Sequence, residues 1–338
     1  MKAVFYYDYG PPDILEIRET EKPVPKDNEV LLKVHAVSVN ASDWEFLTGR
    51  PLYTRMWGLR RPKFQILGSD IAGTVEAVGK KVKLFQPGDE VFGDIMGNWG
   101  GFAEYVCAPV NKLILKPADL TFEKAASLPQ AALVALQGLR DKGKVQPGQK
   151  VLINGAGGGS GTFAIQIAKM LGATVTGVDR TEKLDLMLSI GADRVIDFTK
   201  EDFTQNEQTY DVILDFVASH SIFDYRRTLA PRGKYIMVGG SLPHLFQTLL
   251  LGFIISVTGK KKMGVLGARP NKDLDFMLEL IESNKVVPVI DKRYPLHEVP
   301  AALRYLGEGH ARGKIIIVVH HEEKTTEVRK DGHEASLG

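Results

Sequence analysis

Cysteine is almost missing from this chain: Cys107 is the single one in 338 residues. One thiol excludes an internal disulfide and any zinc knuckle built from several cysteines, and it fits a reducing compartment, with the cytoplasm as the expectation. An excess of charge of one sign is missing too. Lys and Arg number 43 against 41 Asp and Glu, a formal net charge of +2, which offers no general field for nucleic acid. No apolar run is long enough to span a bilayer. The opening Met1 to Tyr6 carries too short an apolar stretch to read as a secretory signal. What is left is 44% hydrophobic and 25% charged, the composition of a globular enzyme with room for two domains.

Glycine, by contrast, is plentiful, and it is concentrated where it is informative. Between Lys150 and Asp179 an apolar run, Val151-Leu152-Ile153-Asn154, opens into Gly155-Ala156-Gly157-Gly158-Gly159-Ser160-Gly161. A helical segment from Thr162 to Leu171 follows, with Ala164, Ile167, Ala168 and Leu171 on one face and Gly172 as its cap. A second β-rich run, Thr174 to Val178, then ends on Asp179. Strand, glycine turn, helix, strand and acid is the order of a dinucleotide site, although the loop departs from a strict G-x-G-x-x-G. Glycines permit positive φ and let the backbone approach a pyrophosphate, whose charge is met by amides at a helix N-terminus.

The first 115 or so residues read as mostly β, with strands over Ala3–Tyr7, Val30–Ser38 and Ile71–Val78 and no helix of useful length. Character changes near Pro117. Phe122 to Lys142 has helical spacing, and short apolar strands then alternate with helices through Lys234–Val238, as a parallel sheet covered on both faces requires. After Ser283 a strand Val286–Ile290, a helix Val299–Leu306 and a strand Lys314–Val319 are expected to return to the first domain. The predicted organisation is therefore α/β: residues 1–122 completed by 284–319, a nucleotide domain over 123–283, and a polar tail over 320–338 expected to be disordered.

Five motifs in this order carry a family resemblance: Asn40-Ala41-Ser42-Asp43, Leu67-Gly68-Ser69-Asp70-Ile71-Ala72-Gly73, Pro87-Gly88-Asp89-Glu90-Val91, Gly101-Phe102-Ala103-Glu104-Tyr105 and the glycine loop. The chain resembles the medium-chain dehydrogenases/reductases, within them the zinc-free quinone oxidoreductase branch, over roughly residues 1–319. The resemblance implies a GroES-like catalytic domain, a doubly wound Rossmann domain, and hydride transfer from a nicotinamide to a quinone or conjugated carbonyl. Zinc members of the superfamily place cysteine and histidine where this chain has Asn40 and Ser69, so no metal site is expected. His35 reads as a structural histidine.

Without a metal, catalysis rests on positioning and on polar groups facing a developing oxyanion. The resemblance points to Asn40 at the nicotinamide ribose or substrate oxygen, or else a turn residue. Asp43 reads as a holder of backbone or a cofactor hydroxyl, or as a helix cap, and Tyr53 as a possible proton donor. Trp44, Phe46, Trp57 and Trp99 either line an apolar cleft or sit in the core. The cofactor-binding set comprises Gly155, Ala156, Gly157, Gly158, Gly159, Ser160, Gly161, Asp179, Arg180, Lys183, Val238, Gly239 and Gly240. Asp179 favours a ribose hydroxyl and NADH, whereas Arg180 and Lys183 favour a 2′-phosphate; the balance leans to NADPH, with NADH possible. Ser160, Val134 and Phe216 depart from residues usual in the branch.

Residues 245–262 join an apolar helix, Leu249-Leu250-Leu251-Gly252-Phe253-Ile254-Ile255, to Lys260-Lys261-Lys262. It is read as a helix over the cleft, as a contact in a homodimer, or as a peripheral membrane contact. Two readings of function remain: a reductase of quinones or α,β-unsaturated carbonyls, and a nucleotide-binding or membrane-peripheral protein of the same fold with little or no turnover.

Overall fold

The computed structural model describes residues 1–321; all but the first two residues of the expected tail lie outside the described residues. In the N-terminal part, β1 (Lys2–Phe5), β2 (Glu16–Glu19), β3 (Glu29–Val39), β4 (Asp70–Val78), β5 (Glu90–Asp94), β6 (Tyr105–Pro109) and β7 (Ile114–Leu115) form antiparallel pairings. The parallel part contains β8 (Lys150–Asn154), β9 (Thr174–Asp179), β10 (Arg194–Asp197), β11 (Tyr210–Asp215), β12 (Leu229–Met237) and β13 (Lys262–Val265). The last two strands, β14 (Ile290–Pro295) and β15 (Lys314–Val318), leave it again, and β15 pairs antiparallel with β3. The helices are α1 (Ala41–Thr48), α2 (Phe122–Ala126), α3 (Pro129–Leu136), α4 (Gly159–Met170), α5 (Leu184–Ser189), α6 (Ile222–Thr228), α7 (Leu242–Thr258), α8 (Leu274–Glu282) and α9 (Val299–Gly307).

The parallel sheet has the order β10-β9-β8-β11-β12-β13, which is the doubly wound order with its switch point between β8 and β11. Val151, Leu152 and Ile153 of β8 are all fully buried, because helices cover both faces and no side chain of a central strand reaches water. The helix α4 packs Phe163, Ala164, Ile167 and Ala168 into the same core, following the apolar spacing of its sequence. Ala36, Ala72, Phe92 and Ile316 of the antiparallel sheet belong to that core as well, joined through α2 and α3. The two lobes therefore share one apolar seam.

Several local expectations shift. The helix α1 interrupts the N-terminal strands, its short run starting at Asn40 and closing on Gly49 at φ +62°. The long helix expected over 122–142 is two helices, since Pro129 begins α3 and cannot continue α2. A widened π-type turn over Gln137–Gly143 then ends it. The strand expected at Val286–Ile290 lies instead at Ile290–Pro295, and β13 and β2 had no clear signal. Phe46 packs against both Trp57 and Trp99 at ring separations of 5.8 and 4.7 Å, and Trp44 lies against Gly307 of α9. These aromatics brace α1 rather than line the cleft.

Candidate active site

A cavity of about 950 Å³ runs along the carboxyl ends of β8, β9, β11 and β12 and across to the N-terminal part, where open α/β sheets bind ligands. At one end stand Asp179, Arg180 and Lys183; the glycine loop lies in the middle; Asn40, Ser42, Glu45 and Tyr53 stand at the other. Val238, Gly239 and Gly240 close the wall beside Phe216.

The loop is built as its glycines demand. Gly155 has φ +82°, and its amide and that of Ala156 both bond Val178 O, at 3.0 and 3.1 Å. A Cβ on Gly161 would stand 2.2 Å from Gly155 O, so only glycine lets α4 start this close to β8. Gly158, Gly159, Ser160 and Gly161 face the cavity at the N-terminus of α4, the end where backbone amides and the helix dipole receive an anion. Ala156 is buried in the core, and Gly157 turns its amide away to Asp179 Oδ2 at 2.9 Å. Those two shape the loop from behind.

The acid and the lysine after β9 do not oppose each other across a free phosphate site. Lys183 Nζ lies 3.2 Å from Asp179 Oδ1, with both side chains buried. Asp179 also accepts the amide of Arg180 at 2.9 Å. The chain leaves β9 at Asp179 and turns back over Thr181–Lys183, so the lysine neutralises the carboxylate that would repel a 2′-phosphate, while Arg180 stands on the partly exposed rim beside Gly309.

At the opposite end, Asn40 is buried and caps α1, its amide N–H donating to Asp43 Oδ2 at 2.8 Å. Asp43 also accepts from Gly68 N at 2.9 Å. Burial pushes the Asp43 carboxyl up to about 7, against the two amides and Lys314 that hold it down. Both oxygens are engaged by backbone and Asp43 is off the cavity wall, so it ties α1 to the entry of β4. Tyr53 lies on the wall and donates to Glu45 Oε2 at 3.1 Å. Burial and Glu45 raise its phenol, and burial raises Glu45 in turn.

Lys314 is the residue that the sequence reading missed. It is fully buried at the start of β15, lines the cavity, and donates from Nζ to Asn40 Oδ1 at 2.6 Å. Its stem lies against Gly159, whose Cβ would come 2.9 Å from Lys314 Cδ. Burial lowers the ammonium, while Asp70 and Asp43 hold it up. Its only sequence signal was a lysine opening an otherwise apolar strand. It is placed to face an anion seated on the first turn of α4.

The same lysine tests the zinc expectation. Zinc needs thiolate, imidazole or carboxylate donors in tetrahedral array, and Asn40 and Ser69 offer an amide and a hydroxyl. Asn40 Oδ1 already receives an ammonium, so a divalent cation there would meet a like charge. The residues present do not fit zinc. His35 is bound to Thr74 Oγ1 at 3.0 Å and lies 4.3 Å from the Phe122 ring, a structural arrangement.

With this geometry in view, the chain matches two protein families, Alcohol dehydrogenase GroES-like domain over residues 26–118 and Zinc-binding dehydrogenase over residues 190–317. It is 35% identical over 331 residues to 2-methylene-furan-3-one reductase of Solanum lycopersicum, covering 94% of this chain and 79% of that one. The chain belongs to the medium-chain dehydrogenase/reductase superfamily, in its quinone-oxidoreductase-like branch. The chloroplastic NADPH-dependent alkenal/one oxidoreductase of Arabidopsis thaliana is 33% identical, over 94% of this chain and 79% of its own length. The quinone oxidoreductase from Coxiella burnetii superposes with a TM-score of 0.85 at 30% identity, covering 95% of this chain and 99% of its own.

Proposed function

We propose that this protein reduces quinones or α,β-unsaturated carbonyls by hydride transfer from NADPH, with no metal in the reaction. The observation that carries the reading is the continuous cavity from the Asp179–Lys183 pair, past the α4 N-terminus, to Asn40. Its volume of about 950 Å³ has room for a dinucleotide, and Met96, Leu133 and Val134 give its wall an apolar stretch. The names of the tomato, Arabidopsis and Coxiella relatives supply the substrate class and the cofactor. NADPH is preferred because Lys183 cancels Asp179 and leaves Arg180 free to meet a 2′-phosphate; NADH remains the competitor.

Bound nicotinamide supplies the hydride. The protein's own residues do the rest: α4 and Lys314 hold the phosphates, Asn40 orients what lies beside it, and the apolar wall excludes water. The test is NADPH and NADH oxidation at 340 nm with a panel of quinones, enones and alkenals. Tight cofactor binding without turnover on any of them would leave the nucleotide-binding reading in its place.

We infer a homodimer. Among the described residues β13 pairs only with β12, at the edge of the sheet, and α7 beside it exposes Phe246, Leu249, Leu250, Phe253, Ile254 and Val257, each 51–68% accessible. Light scattering that gives one chain in solution, with flotation on anionic vesicles, would favour the peripheral membrane contact. Among the described residues no helix is long and apolar enough to cross a membrane. The proposed compartment is the cytoplasm, supported by the single-thiol composition, and fractionation of tagged protein tests it.

A further inference from the structure

Beneath the substrate end of the cleft lie two acids that the reading above does not use. Asp70 on β4 and Asp94 on β5 face each other directly in the antiparallel register, and both are buried. Asp94 lines the cavity with Met96, Gln130 and Asn40, whereas Asp70 stands one layer behind. Asp70 Oδ2 accepts the Gln130 amide at 3.0 Å, and Asp94 Oδ1 accepts the Met96 amide at 2.7 Å. Asp70 Oδ1, Ser69 Oγ, Ser38 Oγ and Gln130 Nε2 are buried without a partner in hydrogen-bonding geometry among the described residues. Asn271, from the stretch after β13, clamps Asp94 through both its backbone groups at 2.8 Å.

We propose that the Asp70–Asp94 pair holds one proton between two carboxyls and that Asp94, the member on the cavity wall, delivers it to the reduced substrate. Two buried carboxylates on directly opposed positions of neighbouring strands each disfavour the other's charge, which favours one retained proton. The groups facing them settle how firmly the proton is held. Lys314 from β15 opposes it at Asp70 and Lys112 opposes it at Asp94, as do the neutral side chains of Asn40 beside Asp70 and of Ser69 and Gln130 beside Asp94, while Asp43 at the α1 N-terminus adds further negative charge. Burial raises both carboxyls, and Asp94 adds to the rise at Asp70.

The step balances. With an enone, the C4–H bond of the dihydronicotinamide breaks with its electron pair, a C–H bond forms at the β carbon, and the π electrons move to the carbonyl oxygen as an enolate. The Asp94 O–H bond breaks, its proton goes to that oxygen, and the enol tautomerises to the ketone. Asp94, left as carboxylate, takes a proton from water after product leaves. Tyr53 is the competing donor on the wall, but its hydroxyl is directed at Glu45.

The proposal rests on the reductase reading, and the two fail differently. If the wild type oxidises NADPH with no acceptor, the function is wrong. If it is active, the steady-state pH profile decides the acid. The expected wild-type kcat falls as pH rises through the pair's apparent pKa, because the proton must be present. Asp94→Asn should lower kcat about 100-fold, a typical share for a positioned acid, abolish that descending limb, and leave the NADPH Kd within about twofold. Asp70→Asn removes the like charge behind Asp94, so the limb should move to lower pH. Should Asp94→Asn fail to fold, the displacement of the limb in Asp70→Asn carries the test. Unchanged kcat and profile in Asp94→Asn, an unmoved limb in Asp70→Asn, or loss of the limb in Tyr53→Phe alone would each overturn the assignment.

Discussion

Two buried acid–lysine arrangements stand at opposite ends of the same cavity, and they are balanced differently. At one end, Asp179 meets Lys183 one to one, at 3.2 Å, across the turn that follows β9. At the other end, Asp43 and Asp70 share one fully buried lysine, Lys314, brought in from the last strand, and Asp94 beside them faces Lys112. A matched pair cancels its own field and fixes a shape. An unmatched set stores protons, since burial disfavours every charge that lacks a partner. The first arrangement prepares a place for a fixed ligand and the second prepares a reaction.

The largest test of that contrast removes the shared cation. Lys314→Met should destabilise the fold by about 5 kcal/mol, the upper end for a broken buried charge set, as read from urea unfolding. The loss should be greater at pH 8 than at pH 5, where Asp43 is protonated and needs no cation. An equal loss at both values would mean that the acids do not respond to Lys314. Lys183→Ala leaves a single acid uncompensated and should cost about 3 kcal/mol. It should also weaken NADH as well as NADPH, because the Asp179 carboxylate that braces Gly157 is disturbed for both. A loss confined to NADPH would show Lys183 touching the phosphate directly.

A glycine joins the two regions. Gly159→Val would push against Lys314 Cδ and the helix end together, so the NADPH Kd should rise about tenfold, roughly 1.4 kcal/mol, with the melting temperature little changed. Unaltered affinity would detach the α4 N-terminus from the cofactor. A separate effect is on pH dependence. The Asp43 carboxyl sits at about 7 in the fold against 3.8 for an ordinary one, so the folded chain binds more protons between those values and its stability falls as pH rises through that window. Asp43→Asn should flatten that slope, measured by urea midpoints from pH 4 to 8, and an unchanged slope would assign it to other groups.

The cofactor half was legible because its signals are local. The spacing of Gly155 to Gly161, the apolar run of β8 and the acid closing β9 all act within thirty residues, and Gly161 is required by Gly155 and Ala156 a few positions away. The Asp179–Lys183 pair was missed although it is an i, i+4 spacing, because Lys183 was assigned to a phosphate and not to the nearest acid. The helix over 122–142 was drawn too long because periodicity outweighed Pro129. The short α1 shows in the sequence only as the helix that Asp43 caps, because its eight residues carry a weak apolar pattern.

By itself the sequence determined the nucleotide-binding half, the absence of thiol and imidazole donors at positions 40 and 69, and the apolar character of 245–257. Backbone propensity, side-chain period and donor chemistry are properties of neighbouring residues and need no fold to be read. Only the tertiary structure decided that Lys314 meets Asn40, that Asp70 faces Asp94, and that Met96 and Gln130 wall the cleft. Those contacts depend on strand order and register, set by β15 returning to β3 and by β4 lying between β3 and β5. A lysine opening an apolar strand is neutral information until the strand has a neighbour, and its charge acquires a function only once burial has removed the water that would otherwise screen it.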